Sequence, residues 1–341
     1  MQGALASSSQ AIRNGFLAAY YTDKQSNPQA PEVTVIDTGS DVRNAYQQAI
    51  NQGANFVVGP LTKPQVQQIA SMGNLSVPTL ALNSLDGRGS APNNLYFFSL
   101  SPRDEAIQTA QRAAQTGYHR ALIIAPNSAW GQGIAQAFKE QWNSQGGTVV
   151  DSLAFGSSQQ LTKQLAGFLH VSEIKPAKNK KGQVSPPPTR RQDMDMIFLV
   201  ASPQQARLIK PLLKFFYAGN VPVYATSEIY TGIPAPRFDT DLDGIIFGDM
   251  PWVLVNPNQL PSNLGTVHDR VATLWPDSFH NYPKLYGFGV DAYRLVSILG
   301  RLPSTPGVPE ATGKLYLGPD HQVLRQLDWA QMRGGVPALI N

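Results

Sequence analysis

The sequence predicts an α/β protein built from two doubly wound, Rossmann-like lobes. Three observations lead there. The 341 residues exceed what one hydrophobic core usually serves. Short strand-like runs alternate with helix-like runs along most of the chain. Two stretches also echo each other. VPTLALNS (77–84) and VPVYATSE (221–228) both start with Val-Pro after a helix, and both carry a small polar pair, Asn83-Ser84 and Thr226-Ser227. Two similarly built lobes would place such pairs at strand ends, where open α/β sheets bind their ligands in a cleft.

The elements follow in order. SSSQAIRNGFLAAYY (7–21) reads as a helix with no strand before it. Doubly wound lobes begin with a strand, so the first lobe is expected to lack its first strand, as in a piece of a longer protein. VTVIDT (33–38), NFVVGP (55–60), VPTLAL (77–82) and LYFFSL (95–100) read as strands, with the helices DVRNAYQQAI and KPQVQQIASM between them. These runs are short, β-branched and almost continuously apolar, as parallel strands covered on both faces are. Ser101-Pro102-Arg103-Asp104 opens the next helix with a capping-box spacing and proline in the first turn. ALIIAP (121–126), a helix over 132–144, TVVDSLAF (148–155), a helix near 159–171 and MIFLVA (196–201) come next. Ser202-Pro203-Gln204-Gln205 caps another helix, and VPVYAT (221–226) closes the series. GIIFGDMPWVL (244–254) is expected to be a strand, 264–275 and 285–302 helices. GKLYL and QVLRQLDW form a hairpin around Gly318-Pro319-Asp320-His321.

Composition removes several classes of function. Only 15% of residues are charged, and 27 Lys and Arg against 23 acids leave a net charge of +4. The basic residues are scattered rather than gathered on one helix, which argues against nucleic-acid binding. The absence of cysteine excludes disulfides, thiol catalysis and cysteine-ligated zinc, and is compatible with the periplasm. No run of 18 apolar residues exists to form a transmembrane helix. MQGALASSSQ has neither the charged n-region nor the apolar h-region of a secretory signal. One exception to the scatter is a proline-rich loop over 175–193. Its residues 175–191 hold six basic residues, no acid and four prolines. Such a stretch is either a solvated insertion or a contact for an acidic partner.

Chemical motifs are incomplete. His119, His170, His268, His280 and His321 show no paired spacing of the HExxH kind. GxSxG and GxxxxGK[ST] are absent. FDTDLDG (238–244) starts like a calcium loop, but Met250 occupies the position of the bidentate glutamate, so it reads as a polar turn. Gly131, Gly133 and Asp151 make a partial dinucleotide fingerprint, displaced by five residues from the end of the strand. Trp130 on that loop is either a stacking wall or a plug between loop and helix. No catalytic residue, metal site or cofactor is predicted.

SSSQAIRNGFLAAYY, VVGPLTKPQVQQIA, LYFFSLSPRDEA, DMIFLVASPQQARLIKPLLKFFYAGNVPVYATSEIY, DLDGIIFGDMPW and LYGFGVDAYRL together resemble the C-terminal domain of the LppC/LpoA lipoprotein family, outer-membrane activators of class A penicillin-binding proteins. The resemblance runs nearly the whole length. It implies a type I periplasmic-binding-protein fold with three crossovers, near Ser99–Ser101, Thr226–Ser227 and Leu302–Pro303. One lobe would then span 1–100 and 227–302, the other 101–226 and 303–341. It further implies a non-enzymatic regulator of peptidoglycan synthesis, lipid-anchored at the periplasmic face of the outer membrane, whose partner is a class A penicillin-binding protein. Amino-acid receptors of this fold line their cleft with hydroxyls, an aromatic and an acid. By position Ser84, Ser99, Ser101, Trp130, Glu228 and Tyr230 are the candidates for an amino acid or peptidoglycan fragment. Lys178, Lys180, Lys181, Arg190 and Arg191 of the basic loop are candidate contacts for the synthase.

Overall fold

Local chemistry sets the boundaries of the helices and strands. The computed structural model describes residues 6–85, 91–156, 158–171, 189–261 and 263–340. The chain divides into two units, the first comprising 1–100 and 250–328, the second 101–249 and 329–341. The opening segment runs through α1 (Ala6–Ser26), α2 (Val42–Asn51), β1 (Val57–Val58), α3 (Lys63–Ala70), β2 (Thr79–Ala81) and β3 (Leu95–Phe98). The second unit then contributes α4 (Pro102–Gln115), β4 (Arg120–Pro126), α5 (Ala129–Ser144), β5 (Thr148–Phe155), α6 (Ser158–Phe168) and β6 (Met196–Leu199). It continues with α7 (Pro203–Phe215), β7 (Val223–Ala225), α8 (Pro236–Asp239) and β8 (Ile245–Asp249). The chain returns to the first unit through α9 (Pro251–Leu254), α10 (Leu264–Leu274), α11 (Pro276–Asn281), α12 (Pro283–Ile298), β9 (Val308–Glu310), β10 (Gly313–Leu317) and β11 (Gln322–Gln326). It ends on β12 (Asp328–Arg333) and β13 (Val336–Leu339).

Several helix starts carry side-chain caps, the expected ones at Ser101 and Ser202 among them. Asp41 accepts from the N–H groups of Arg43 and Asn44, and Ser101 accepts from Asp104 N–H at 3.2 Å. Ser202 forms a reciprocal capping box with Gln205. Each cap satisfies amide groups that the first helical turn would otherwise leave without a partner.

In the first unit the sheet order is β1-β2-β3-β11-β10-β9. β1, β2, β3 and β11 run parallel, whereas β10 pairs antiparallel with both β9 and β11. One face is covered by α12, with Phe98 stacked on Phe288 at 4.6 Å. The other is covered by α2 and α3 through Tyr46, Val66 and Ile69. In the second unit the order is β13-β12-β8-β7-β6-β4-β5. Its strands β4 to β8 are parallel and stand in the doubly wound order 2-1-3-4-5, which reverses between β4 and β6. The alanine face of α4 (Ala106, Ala110, Ala113) lets that helix lie close to the sheet, while Phe138 of α5 stacks on Phe198 of β6 at 4.0 Å.

Several expectations need correction. VTVIDT joins no ladder among the described residues: Val33 and Ile36 are half-buried and Val35 is 59% exposed, so little apolar burial fixes a register there. The second crossing lies at Asp249/Met250 rather than Thr226–Ser227, because β8 pairs with β7 through Val223↔Ile245 and so extends the second sheet. The strand expected over 244–254 stops there too, since Pro251–Leu254 forms a helical turn. The third crossing lies at Asp328/Trp329 rather than Leu302–Pro303. QVLRQLDW is split at that point: β11 pairs with β3 through Gln322↔Phe97, whereas β12 belongs to the other sheet.

Candidate functional site

Parallel strands bring their carboxyl ends to one edge of a sheet, and the loops leaving that edge carry the polar groups of each unit. In the first unit, Ser84 follows β2 and Ser99 follows β3; both are half-buried. Asn83 donates to Leu61 C=O at 2.9 Å and accepts from Ser84 N–H at 3.0 Å, which ties the loop down. In the second unit, Ser101, Trp130, Glu228 and Tyr230 all lie at helix starts or turns near the carboxyl edge.

These candidates do not all remain available to a ligand. Ser101 Oγ serves as the cap of α4. Tyr230 is buried, and burial, followed by the charges of Asp249 and Asp239, raises its pKa. Trp130, in the first turn of α5 beside the switch point between β4 and β6, is 45% exposed. Glu228 is exposed. The buried acid that organises this edge is instead Glu105, whose carboxylate accepts from Ser227 N–H at 3.0 Å and so holds the turn after β7 against α4. Nothing in the sequence marks it, because a glutamate in the first turn of a helix reads as a favourable charge near the dipole.

The other motifs resolve into structure. Gly131 is small because a Cβ there would lie 2.5 Å from Pro126 O, where α5 meets the end of β4. Asp151 is an ion-pair partner of Arg191 at 2.9 Å. Asp239 is buried and accepts from Arg207, and Asp243 accepts from the N–H groups of Gly334 and Gly335. His268 packs between Trp252 and Phe279, and burial lowers its pKa. A cavity of about 210 Å³ in the first unit is lined by Asp23, Asn263, Tyr293, Arg294 and Glu310. Its charges are matched internally: Tyr293 donates to Asp23 at 2.6 Å, and Arg294 pairs with Glu310.

Of the candidate partner contacts, Lys178, Lys180 and Lys181 lie outside the described residues. Arg190 donates to Tyr217 C=O at 2.8 Å and to Asn220 at 3.2 Å. Arg191 is not a surface contact. Its side chain is 6% exposed, makes a two-pronged pair with Asp193 at 2.8 Å, and donates to Asp151 and Phe168 C=O. It clamps the start of β6 to β5 and α6. Arg191→Ala should therefore lower stability by about 2 kcal/mol, the loss of a buried pair discounted because both carboxylates are half-exposed. A urea titration checks this, and an unchanged midpoint would contradict the clamp.

The family described as "LppC putative lipoprotein" matches residues 1–335. The chain belongs to this family. A relative from Photobacterium profundum, described as "Penicillin-binding protein activator LpoA", is 30% identical across 97% of this chain and 54% of its own length. The chain spans about half the length of the curated relatives it matches. Among solved structures, the LpoA (YraM) C-domain from Haemophilus influenzae, described as "a regulator of PBP1A", superposes with a TM-score of 0.76 over 100% of this chain and 97% of its own, at 23% identity. A "putative branched-chain amino acid ABC transporter" from Chromobacterium violaceum ATCC 12472 gives 0.72 at 30% identity, covering 97% of this chain and 96% of its own. The family therefore shares the type I periplasmic-binding-protein fold, with two α/β units and three passages of the chain between them.

Proposed function

We propose that this chain is the partner-binding part of a regulator of cell-wall synthesis: it binds a class A penicillin-binding protein and stimulates peptidoglycan cross-linking, with no catalysis of its own. The observation that carries this reading is the match from end to end with relatives described as penicillin-binding protein activators, across 97% of the chain. The lipoprotein family supports a lipid-anchored position at the periplasmic face of the outer membrane. A non-catalytic role is supported by the way the buried acids are engaged, Glu105 by a backbone amide and Asp239 by Arg207.

The test is direct. The 341-residue chain is immobilised and a class A penicillin-binding protein passed over it. Peptide cross-linking by that synthase is then measured with and without the chain. Saturable binding and a raised cross-linking rate are expected; absence of both would sink the reading.

A second reading is favoured by the 30% identity to the Chromobacterium violaceum structure. In it, the polar groups at the carboxyl edge of a single unit, Ser84 and Ser99 in the first or Trp130 and Glu228 in the second, contribute to holding an amino acid or a peptidoglycan fragment. A ligand present at a hundredfold excess over Kd would stabilise the fold by about 2.7 kcal/mol. A thermal-shift screen over amino acids and muropeptides that moved no melting temperature would remove it.

A further inference from the structure

The amphipathic pattern of α7 is unusual on the side that faces solvent. Ala206, Ile209 and Leu213 bury one face of the helix. On the opposite face Gln204, Leu208, Pro211 and Phe215, at intervals of four, three and four, form a single stripe. Leu208 is 50% exposed and Phe215 70%. Tyr217, just past the helix, is 51% exposed, and Phe238 of the neighbouring α8 is 68% exposed. Scattered apolar residues on a surface need no explanation, but four large ones on one helix and its neighbouring turns do.

Cations rim this stripe. Arg207, Lys210 and Lys214 lie along one flank of α7, which carries no acid. Arg237 is exposed beside Phe238, and Arg190 is bonded to the carbonyl of Tyr217. Of the acids on the adjoining turn, Asp239 is buried and engaged by Arg207, and Asp243 is engaged by the amides of Gly334 and Gly335; Asp241 is exposed. Arg207 is held rigid between Asp239 at 2.7 Å and the ring of Phe238 at 5.9 Å. A pre-ordered arginine next to exposed aromatics loses little freedom on docking, and arginine with aromatics is the composition of protein-binding hot spots.

We infer that the Leu208–Pro211–Phe215 stripe of α7, with Tyr217, Phe238 and the surrounding cations, is the docking surface for the synthase, and that it fits an apolar patch rimmed by acids. The inference rests on the regulator reading above. Charge selects the occupant. A second copy docked through the same surface would bring one basic rim against another, which is unfavourable. An acidic rim on the synthase gains at each of those positions.

Binding of a class A penicillin-binding protein to the 341-residue chain is the experiment, with Leu208→Asp/Phe215→Asp as the main variant. Both positions face solvent, so the melting temperature and far-UV circular dichroism should stay unchanged while binding weakens by at least about tenfold, as for the loss of a hot spot. Lys214→Glu/Arg237→Glu should slow association, most strongly at low salt. Tyr21→Asp and Leu274→Asp, on residues 58% and 57% exposed in the other unit, should leave binding intact. If the unaltered chain fails to bind, the regulator reading falls and this surface with it. If the unaltered chain binds and Leu208→Asp/Phe215→Asp binds as well, only the assignment of the surface falls. It falls equally if that variant instead loses self-association in sedimentation, or loses binding to phosphatidylglycerol vesicles while keeping the synthase.

Discussion

Gly289→Ala should destabilise the first unit by about 3 kcal/mol, the upper range for forcing extra volume into a packed core. The geometry leaves no alternative. A Cβ at Gly289 would lie 2.0 Å from Ile12 O, 2.8 Å from Ile12 C and 2.9 Å from Phe16 N. All three are backbone atoms of α1, which cannot rotate away as a side chain could. Gly15 of α1 faces the same crossing from the other side, where a Cβ would meet Tyr286 O of α12 at 2.2 Å. The two helices therefore touch backbone to backbone, and the sheet face covered by α12 depends on that spacing. Alanine favours a helix over glycine by about 1 kcal/mol, so the sign of the effect is informative. A net loss means the clash prevails; a gain would mean α1 and α12 lie further apart. Gly167→Ala in α6, where a Cβ would meet nothing within 4 Å, supplies the control and should stabilise by about 0.5–1 kcal/mol. Urea denaturation followed by circular dichroism measures both. Gly15→Ala/Gly289→Ala should cost less than the sum of the single changes, because both act on one contact.

That crossing also shows which features the sequence made legible. A strand such as Arg120–Pro126 was readable because a short, nearly continuous apolar run between two helices has few other solutions. The caps at Ser101 and Ser202 were readable for the same reason: their signal is local. The passages at Asp249 and Asp328 were not, because strand type says nothing about which sheet a strand joins. β8 and β11 each read as one more strand, and only their partners, β7 and β3, assign them to a unit. The candidate site divides along the same line. Placing Trp130 at a carboxyl edge needed only strand order. The role of Arg191 depends on Asp151, forty residues away in sequence, and that of Glu105 on Ser227, more than a hundred away. The exposed stripe of α7 was hidden by composition, since leucines occupy both its buried face (Leu213) and its exposed one (Leu208).

Asp291→Ala should be about as damaging as the helix clash, at about 3 kcal/mol, and for an electrostatic reason. Asp291 is fully buried on α12 and accepts three hydrogen bonds, from Ala311 N–H at 2.9 Å, Thr312 N–H at 2.7 Å and Thr312 Oγ at 2.6 Å. Alanine would leave two backbone donors and a hydroxyl buried without partners between β9 and β10. Asp291→Asn removes the charge at every pH, at the cost of turning one accepting oxygen into an NH2 that faces a donor. Burial, and then the neighbouring charge of Glu310, pushes the Asp291 carboxyl upward, against the opposing pull of the three donors. Burial also raises Glu310, opposed by Arg294. A carboxyl raised in the folded state binds its proton more tightly there than in the unfolded chain. Its contribution to stability is complete below the unfolded value, about pH 4, and is lost as pH rises through the folded value. Asparagine is neutral at every pH, so Asp291→Asn lacks this loss, and the cost of its misplaced NH2 is the same at every pH. Between about pH 4 and pH 8 the stability difference between the unaltered chain and Asp291→Asn should therefore shrink as pH rises. Urea midpoints of the two proteins at several pH values decide the matter. Parallel curves would show that the Asp291 carboxyl does not titrate in this range, and that the three donors outweigh its burial.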